Sequence, residues 1–388
     1  MTRGRTTAVA ASFFLNGLAF ASWAARIPDV RHELGLTDAA LGLLLLALSA
    51  GSVLALPLSG VLVHRAGAGA VVRGGAVLVG VALVLVALAV SGAGSVALTA
   101  PALLLYGVGT SVWDVAMNVE GAAVERRLRR SVMPRFHAAF SLGTVTGALV
   151  GALAAHLSPD LRLHVLVVGV LAGVGGVLGT RGFVPATGEE EHGGGSGAAR
   201  AWRERRTLLI GLLVLALAFT EGSANDWLAV ALRDGYDAPR ALAVLGFALF
   251  VAAMTTGRVI GPALLDRWGR VAVLRITVLL ALVGVLLTVF GGAPWLVAAG
   301  IVVWGLGASL GFPVGMSAAA DDPARAAARV SVVSTMGYTA FLAGPPLIGF
   351  VASRTGTLDA LLLVAGALVL ALLAVRATRP PGTSAADA

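Results

Sequence analysis

The chain has 388 residues, of which 58% are hydrophobic and only 12% are charged, and its mean hydropathy is +0.91. So few charged side chains cannot cover the surface of a water-soluble protein, so the composition predicts a membrane protein. The net charge of +8 would suit a nucleic-acid partner. Most of the arginines, however, lie in loops on one side of the predicted membrane, so we expect no such partner. Because cysteine is absent, disulfides and thiolate ligands are excluded, and we expect neither a cofactor nor a metal.

Apolar runs long enough to cross a bilayer occur twelve times along the chain. A span needs about 20 apolar residues. The sequence therefore predicts an all-α membrane protein with twelve transmembrane helices and both termini on one side. The predicted spans are residues 8–27, 40–63, 70–91, 97–120, 136–157, 161–181, 207–230, 240–264, 271–291, 295–319, 330–353 and 357–376.

The arginines indicate which side of the membrane each loop occupies. With the N-terminus in the cytoplasm, 21 of the 28 basic residues fall on the inner side and six on the outer side, and Arg258 alone falls within a span. Cytoplasmic loops carry such an excess of positive charge. We therefore expect a multi-pass plasma-membrane protein with cytoplasmic termini.

Three short patterns recur about 200 residues later, at offsets of 205, 202 and 198. Because their order is kept, a whole half of the chain is duplicated, and a working site is expected between the copies. We expect two pseudo-symmetric six-helix halves, 1–181 and 207–388, joined by a cytoplasmic linker at 182–206. The matched patterns are 14–17 with 219–222, 65–67 with 267–269, and 106–111 with 304–309.

Acidic side chains inside apolar spans are the first candidates for function, because an ionisable group is costly in hydrocarbon. On the fourth span, Asp114 lies about 8 Å from the middle, and Asn118 follows one helical turn later. On the seventh span, Glu221 lies about 4 Å from the middle, Asn225 follows one turn later, and Asp226 is nearer the outer end. An acid and an amide on one face can carry a proton and bind a polar solute.

Two further residues accompany these acids. Asn16 occupies in the first repeat the position that Glu221 holds in the second, and Trp113 neighbours Asp114. We expect Asn16 to bind solute by hydrogen bonds and Trp113 to line the cavity, although interfacial anchoring explains aromatic residues at span ends as well.

Two basic side chains are candidates for coupling. Arg258 could pair with an intramembrane acid, Asp114 for instance, or could extend its side chain towards the cytoplasm, and the sequence slightly favours the second. His137 begins the fifth span, where it could titrate near neutral pH or serve as a surface or capping residue.

Two short loops, 60–67 and 261–270, contain Gly60, His64, Arg65 and Gly67 in the first copy and Asp266, Arg267, Gly269 and Arg270 in the second. They resemble the loop signature of the major facilitator superfamily, Gly-x-x-x-Asp-Arg-x-Gly-Arg. The resemblance implies a transporter with a cytoplasmic gate, in which Asp266 faces the start of the fifth span. The first copy departs from the signature because His64 stands where aspartate is expected.

A narrower resemblance, to the MosC-like and YbjJ-like branch of that superfamily, rests on segments 21–28, 114–118, 133–137 and 141–143. It implies a bacterial permease in the cytoplasmic membrane for a small polar, sugar-like or cyclitol-like solute.

The function we expect is secondary active transport by alternating access, coupled to protons through Glu221 or Asp114. The partners are then a small-molecule solute, protons and the lipid bilayer, and we expect a monomer. The alternatives are a proton-driven exporter of a drug or secondary metabolite, and a membrane solute sensor on a transporter scaffold. We expect no enzyme, since the sequence contains no zinc-protease motif, nucleophile elbow or phosphate loop.

Overall fold

The computed structural model describes residues 2–128, 132–158, 160–183, 198–322 and 325–380, and within these ranges it contains helices and no strand. Eleven helices there are long and apolar enough to cross a membrane. The main helices are α1 (Thr2–Ala24), α2 (Asp38–Ala66), α3 (Ala68–Ala87), α4 (Val96–Leu128), α5 (Met133–Leu157), α6 (Arg162–Gly179), α7 (Arg205–Tyr236), α8 (240–268), α9 (270–290), α10 (Pro294–Ala308), α11 (Ala326–Thr355) and α12 (Leu362–Ala374).

The eighth and ninth helices follow each other without a loop over 51 residues, and a sharp kink at Gly269 separates them. Gly269 has φ 72° and ψ 159°, and Gly67, between α2 and α3, has φ 79° and ψ 149°. Such positive φ values suit glycine, which lacks a Cβ. The same sharp turn therefore recurs in both halves, and splitting the long run at Gly269 yields the twelve predicted spans.

Short helices extend several spans. Ile27–Glu33 follows α1, a π-helix (Leu88–Gly92) ends α3, and Gly311–Ala319 continues α10. Thr357–Ala360 and a 3-10 turn (Val375–Thr378) flank α12.

The helices pack in the same pattern twice. In the first half α1 contacts α5 and α6, α4 contacts α2 and α3, and α3 contacts α6. In the second half α7 contacts α11 and α12, and the α8–α9 pair contacts α10 and α12. These equivalent contacts form the two pseudo-symmetric halves of the predicted fold. The predicted linker lies largely outside the described residues.

Small residues let the helices of each half approach closely. A Cβ at Gly143 or Gly147 of α5 would collide with backbone atoms of Phe14 and Leu18 on α1. Close backbone approach at glycines is typical of helix packing in membranes, where the lipid is as apolar as the side chains. Large apolar side chains such as Leu54 and Leu373 are exposed on the outer surface, where lipid would cover them.

The two halves meet mainly where α2 packs on α11 and where α5 packs on the α8–α9 pair. The end of the bundle that carries the starts of α1 and α7 is called the terminus face below. The end that carries the α1–α2, α7–α8 and α11–α12 connections is called the opposite face.

Candidate functional site

The mid-span acid of the second half forms an ion pair. Nη2 of Arg258 on α8 donates to Oε1 and Oε2 of Glu221 on α7, at 3.0 and 3.1 Å. Nε of Arg258 points to the carbonyl oxygen of Ser309, at 3.4 Å. The Glu221 and Arg258 side chains are 19% and 30% exposed, so the pair is only partly shielded from solvent. Arg258 therefore pairs with an acid rather than extending towards the cytoplasm, the outcome that the sequence slightly favoured.

His137 lies near this pair from the other half. Its ring packs edge-on against Phe13, with ring centroids 5.3 Å apart, and Phe13 also stacks on Phe136. The positive charge of Arg258 acts on His137 across the contact between α5 and α8. The two basic side chains singled out in the sequence are thus brought together.

The mid-span acid of the first half has an amide partner instead. Nδ2 of Asn118 donates to the carbonyl oxygen of Asp114 at 2.9 Å and to its Oδ1 at 3.4 Å. Asp114 is half-buried, and no arginine or histidine among the described residues forms an ion pair with it. Its charge acts on Tyr338 of α11, in the other half. Asp114 is therefore a carboxyl group close to the second half, with no counter-ion in the part of the chain that the structure describes.

Two buried amides lack one hydrogen-bond partner each. Asn16 is 3% exposed and Asn225 is 9% exposed, and among the described residues Nδ2 of Asn16 has no acceptor and Oδ1 of Asn225 has no donor. An unsatisfied buried polar atom costs about 1–3 kcal/mol. Asn225 lies one turn from Glu221, so its acceptor is on the face of α7 that carries the ion pair. Asp226, the next residue, is half-buried.

Trp113 is placed differently from the other candidates. Its side chain is fully buried, and its Nε1 donates to Oγ of Ser12 at 2.8 Å. The indole packs where α3 and α6 carry Gly75 and Gly176. Trp113 therefore belongs to the packing core of the first half and not to the cavity side of α4, where we expected it.

The signature loops lie on the terminus face. Gly60, His64 and Arg65 are exposed, as are Asp266 and Arg267, whose guanidinium lies over the ring of Trp268 at 5.9 Å. Arg270 donates to Asp321 at 2.7 Å, within the second half.

No described residue at the start of α5 forms the expected contact with Asp266. The backbone N–H groups of Val132 and Met133 donate instead to Oε2 of Glu125, at 2.6 and 2.8 Å. Glu125 belongs to the same half, so the start of α5 is capped from within its own bundle.

The opposite face carries an ion-pair cluster that the sequence analysis missed. Asp29 is buried, accepts from Arg26 at 2.7 Å and lies 3.7 Å from both Arg233 and Arg240 of the second half. The sequence did contain a signal for this cluster: Asp29 lies between α1 and α2, and Arg233 and Arg240 lie near the corresponding α7–α8 connection of the second half. These loops are brought together only by the packing of the two halves.

A second pair extends this cluster. Arg31 pairs with Asp234 across the halves and with Asp38 at 2.7 Å, and the three residues line a cavity of about 450 Å³. Ion pairs that join described residues of the two halves all lie on this face. Within the described ranges, the halves are therefore bound together by charge at the opposite face and not at the terminus face.

A duplicated bundle of apolar spans, with acids in the middle and one face held shut, defines the class of membrane transporters built from two helical halves. The chain belongs to the Major Facilitator Superfamily, whose family model it matches over residues 9–291 and 228–388. It is therefore a transporter of that superfamily.

Two relatives illustrate this membership, and one solved structure shares the fold. A protein described as the uncharacterized transporter y4wD of Sinorhizobium fredii is 35% identical over 372 residues, which are 95% of this chain and 96% of that protein. Membrane protein MosC of Rhizobium meliloti is 29% identical over 92% of this chain and 86% of its own length. The crystal structure of a mutant of nucleoside transporter NupG has a TM-score of 0.81 at 16% identity, over 96% of this chain and 99% of that chain. The predicted superfamily and its MosC-like branch are thus confirmed.

Proposed function

We propose that this transporter moves a small polar solute by alternating access and couples that movement to protons. The observation that carries the proposal is the Glu221–Arg258 ion pair, which lies within two spans, with Glu221 near the middle of α7, and is partly open to solvent. A charge pair there would be costly without a use, because hydrocarbon disfavours ionisable groups. Asp114, Asn118, Asn16 and the Asn225–Asp226 segment supply further polar groups for the solute.

The arrangement of ion pairs supports one end state of the cycle. We assign the terminus face to the cytoplasm because most arginines lie in the loops of that face. The cross-half pairs at the opposite face then close the outer side, and the solute would reach the site from the cytoplasm. In the reverse state the Asp29 and Arg31 pairs would separate and the signature loops would approach the other half.

A proton can bias this cycle only if the two states bind it with different affinity. Protonation of Glu221 removes the negative partner of Arg258 and changes the attraction between α7 and α8. Protonation of Asp114 neutralises a lone charge on α4 that acts on Tyr338 of α11. Both events change the electrostatics near the plane where the halves meet, so both could be linked to rocking of the halves.

Purified protein in liposomes tests the proposal directly. Pyranine trapped inside would report acidification of the lumen when sugars, cyclitols, sugar acids or amino sugars are added outside. We expect at least one solute to drive proton entry in the wild type and none to do so in Glu221→Gln. Glu33→Gln is the matched control, since Glu33 accepts from Ser91 at the opposite face, and it should transport normally.

The result that would refute the proposal is equally concrete. If a solute raises the melting temperature of the protein but no solute moves protons or accumulates, the chain is a sensor on a transporter scaffold.

One observation favours an exporter of apolar compounds as a second candidate. A groove of about 1000 Å³ opens between α7, α11 and α12, and its lining is mostly apolar, including Phe219, Leu347 and Leu370. An apolar solute from the bilayer could enter there. Resistance to an amphipathic drug on expression, lost when Leu347 is changed to Trp to fill the groove, would support export. Unchanged resistance in Leu347→Trp would contradict this route.

A further inference from the structure

We propose that the transported solute is an acid, and that its carboxylate takes the place of Glu221 on Arg258 once Glu221 is protonated. This inference rests on the proposed function and names the substrate class of the same site. In the solute-free state the carboxylate of Glu221 then occupies the position on Arg258 that the solute's carboxylate would take.

The hydrogen bonds of Arg258 leave room for an incoming anion. One nitrogen, Nη2, bridges both oxygens of Glu221, and Nε points to the Ser309 carbonyl. Among the described residues, Nη1 has no acceptor, and Glu221 is the acid that forms an ion pair with Arg258. A guanidinium has five N–H donors in a planar fork that matches a carboxylate. The fork is therefore only partly used by Glu221.

The charge balance at Arg258 itself favours an anionic solute. The Glu221–Arg258 pair is neutral as a unit, and adding one proton leaves it with one positive charge. His137 lies within reach of that charge from the other half and cannot offset it, because a histidine is either neutral or positive. A neutral solute carried with that proton would leave Arg258 without an ion-pair partner among the described residues, whereas a monoanion supplies one on the guanidinium itself.

The same balance favours a carboxylate over a phosphate. A phosphate ester carries up to two negative charges near neutral pH, which one arginine cannot balance. Asp114 adds a negative charge on the side of the first half, and the Ser309 carbonyl is itself an acceptor. A carboxylate carries one charge and repeats the chemistry of the group that it would replace.

The remaining polar groups describe the rest of the solute. Asn16 offers an unused donor and Asn225 an unused acceptor, both in buried side chains. Hydroxyl groups both donate and accept, so they can satisfy both amides. The site therefore fits a hydroxylated acid of the sugar-acid type better than a plain fatty acid or an unmodified polyol.

The consequence for binding is a definite pH dependence. If the acid binds only when Glu221 is protonated, each solute takes up one proton, and its affinity rises on acidification by at most about tenfold per pH unit. Glu221→Gln imitates the protonated residue at every pH. It should bind the acid tightly without pH dependence, although it cannot couple the binding to a proton.

Titration calorimetry on the purified full chain in nanodiscs tests this inference. The probes are gluconate and quinate as hydroxylated acids, glucitol and myo-inositol as neutral polyols, and glucosamine as an amine. We expect the wild type to bind an acid more tightly at pH 5.5 than at pH 7.5 and Glu221→Gln to bind it equally at both. Arg258→Gln should lose the acid at both pH values, while Arg258→Lys should retain weakened binding.

Two controls keep a folding defect apart from a binding defect. Arg258→Gln/Glu221→Gln removes both charges, so it should fold without an unpaired ion and still fail to bind the acid. Asp237→Asn changes an exposed acid in a left-handed turn that asparagine tolerates, so it should bind as the wild type does.

The outcomes separate this inference from the proposed function. Tighter binding of the neutral polyols than of the acids, or acid binding that survives Arg258→Gln, overturns the acid inference. If a neutral polyol drives proton entry into liposomes, the proposed function is supported and the acid inference is refuted. If no probe moves protons, the proposed function itself fails.

Discussion

The two halves of this transporter share a helix arrangement but surround their acids differently. In the second half Glu221 is bound by Arg258, whereas in the first half Asp114 has the amide of Asn118 beside it. At the repeat offsets, Glu221 corresponds to Asn16 and Arg258 to Leu56, so the first half contains no equivalent ion pair. Protonation of Asp114 therefore removes an unpaired negative charge, whereas protonation of Glu221 leaves Arg258 as an unpaired positive charge. Asp114 and Glu221 therefore occupy non-equivalent positions of the repeat, and their chemistry differs although the helices of the two halves correspond.

The largest expected effect comes from breaking the ion pair of the second half. Arg258→Gln leaves Glu221 without its cation, and we expect a loss of about 2 kcal/mol, less than for a fully buried pair because Arg258 is partly exposed. Glu221→Gln should also destabilise the protein, and the double variant should be more stable than Arg258→Gln. Thermal unfolding in detergent measures all three variants. A double variant that is no more stable than Arg258→Gln would show that the pair is not coupled.

The acid of the first half should behave differently in the same assay. Asp114→Asn removes no ion pair and keeps an oxygen for Asn118, so we expect it to change stability by less than about 0.5 kcal/mol. Its effect should fall on proton-driven accumulation in liposomes, with Asp237→Asn as the matched control. A destabilisation as large as that of Arg258→Gln would mean that Asp114 has a structural counter-ion, and the contrast between the halves would fail.

Whether the halves move as separate bodies can be tested at the opposite face. Asp29→Asn removes the negative charge that faces Arg233 and Arg240, so the closed outer side should lose about 1 kcal/mol, and its population relative to the outward-open state should fall several-fold. Because the chain has no cysteine, spin labels at Ala66→Cys and Trp268→Cys report the distance between the signature loops. We expect a larger fraction of short distances in Asp29→Asn than in Asp237→Asn. An unchanged distance distribution would refute a gate at Asp29.

The smallest expected effect concerns the terminus face, where the halves also differ. The guanidinium of Arg329, which donates to Glu204 at 2.6 Å, holds the pKa of that carboxyl below its ordinary value of 4.5. A lowered pKa stabilises the fold above pH 4.5, and this contribution is lost as the pH falls through the lowered pKa. Glu204→Gln should therefore melt slightly earlier at pH 6, with a smaller loss of stability on acidification. A steeper loss than in the wild type would contradict this assignment.

Sequence patterns alone located the spans because each must be apolar over its full length, and this requirement is local. The duplication could also be identified from local patterns. Gly67 and Gly269 recur at matching positions because both adopt a turn that few other residues accept. The acids of the site were also visible, since Asp114 and Glu221 stand out within apolar runs. Trp113 was misplaced because its position in the chain does not say which side of α4 faces α3 and α6.

By itself, the sequence determined that this is a membrane protein of two repeated halves with acids in the middle of its spans, because hydropathy and repetition can be read from neighbouring residues. Only the tertiary structure decided that Arg258 binds Glu221 and not Asp114, and that Asp29 and Arg31 hold the halves together at one face. The physical reason is that an ion pair depends on a few ångströms between residues that are far apart in the chain. Those distances exist only after the helices have packed.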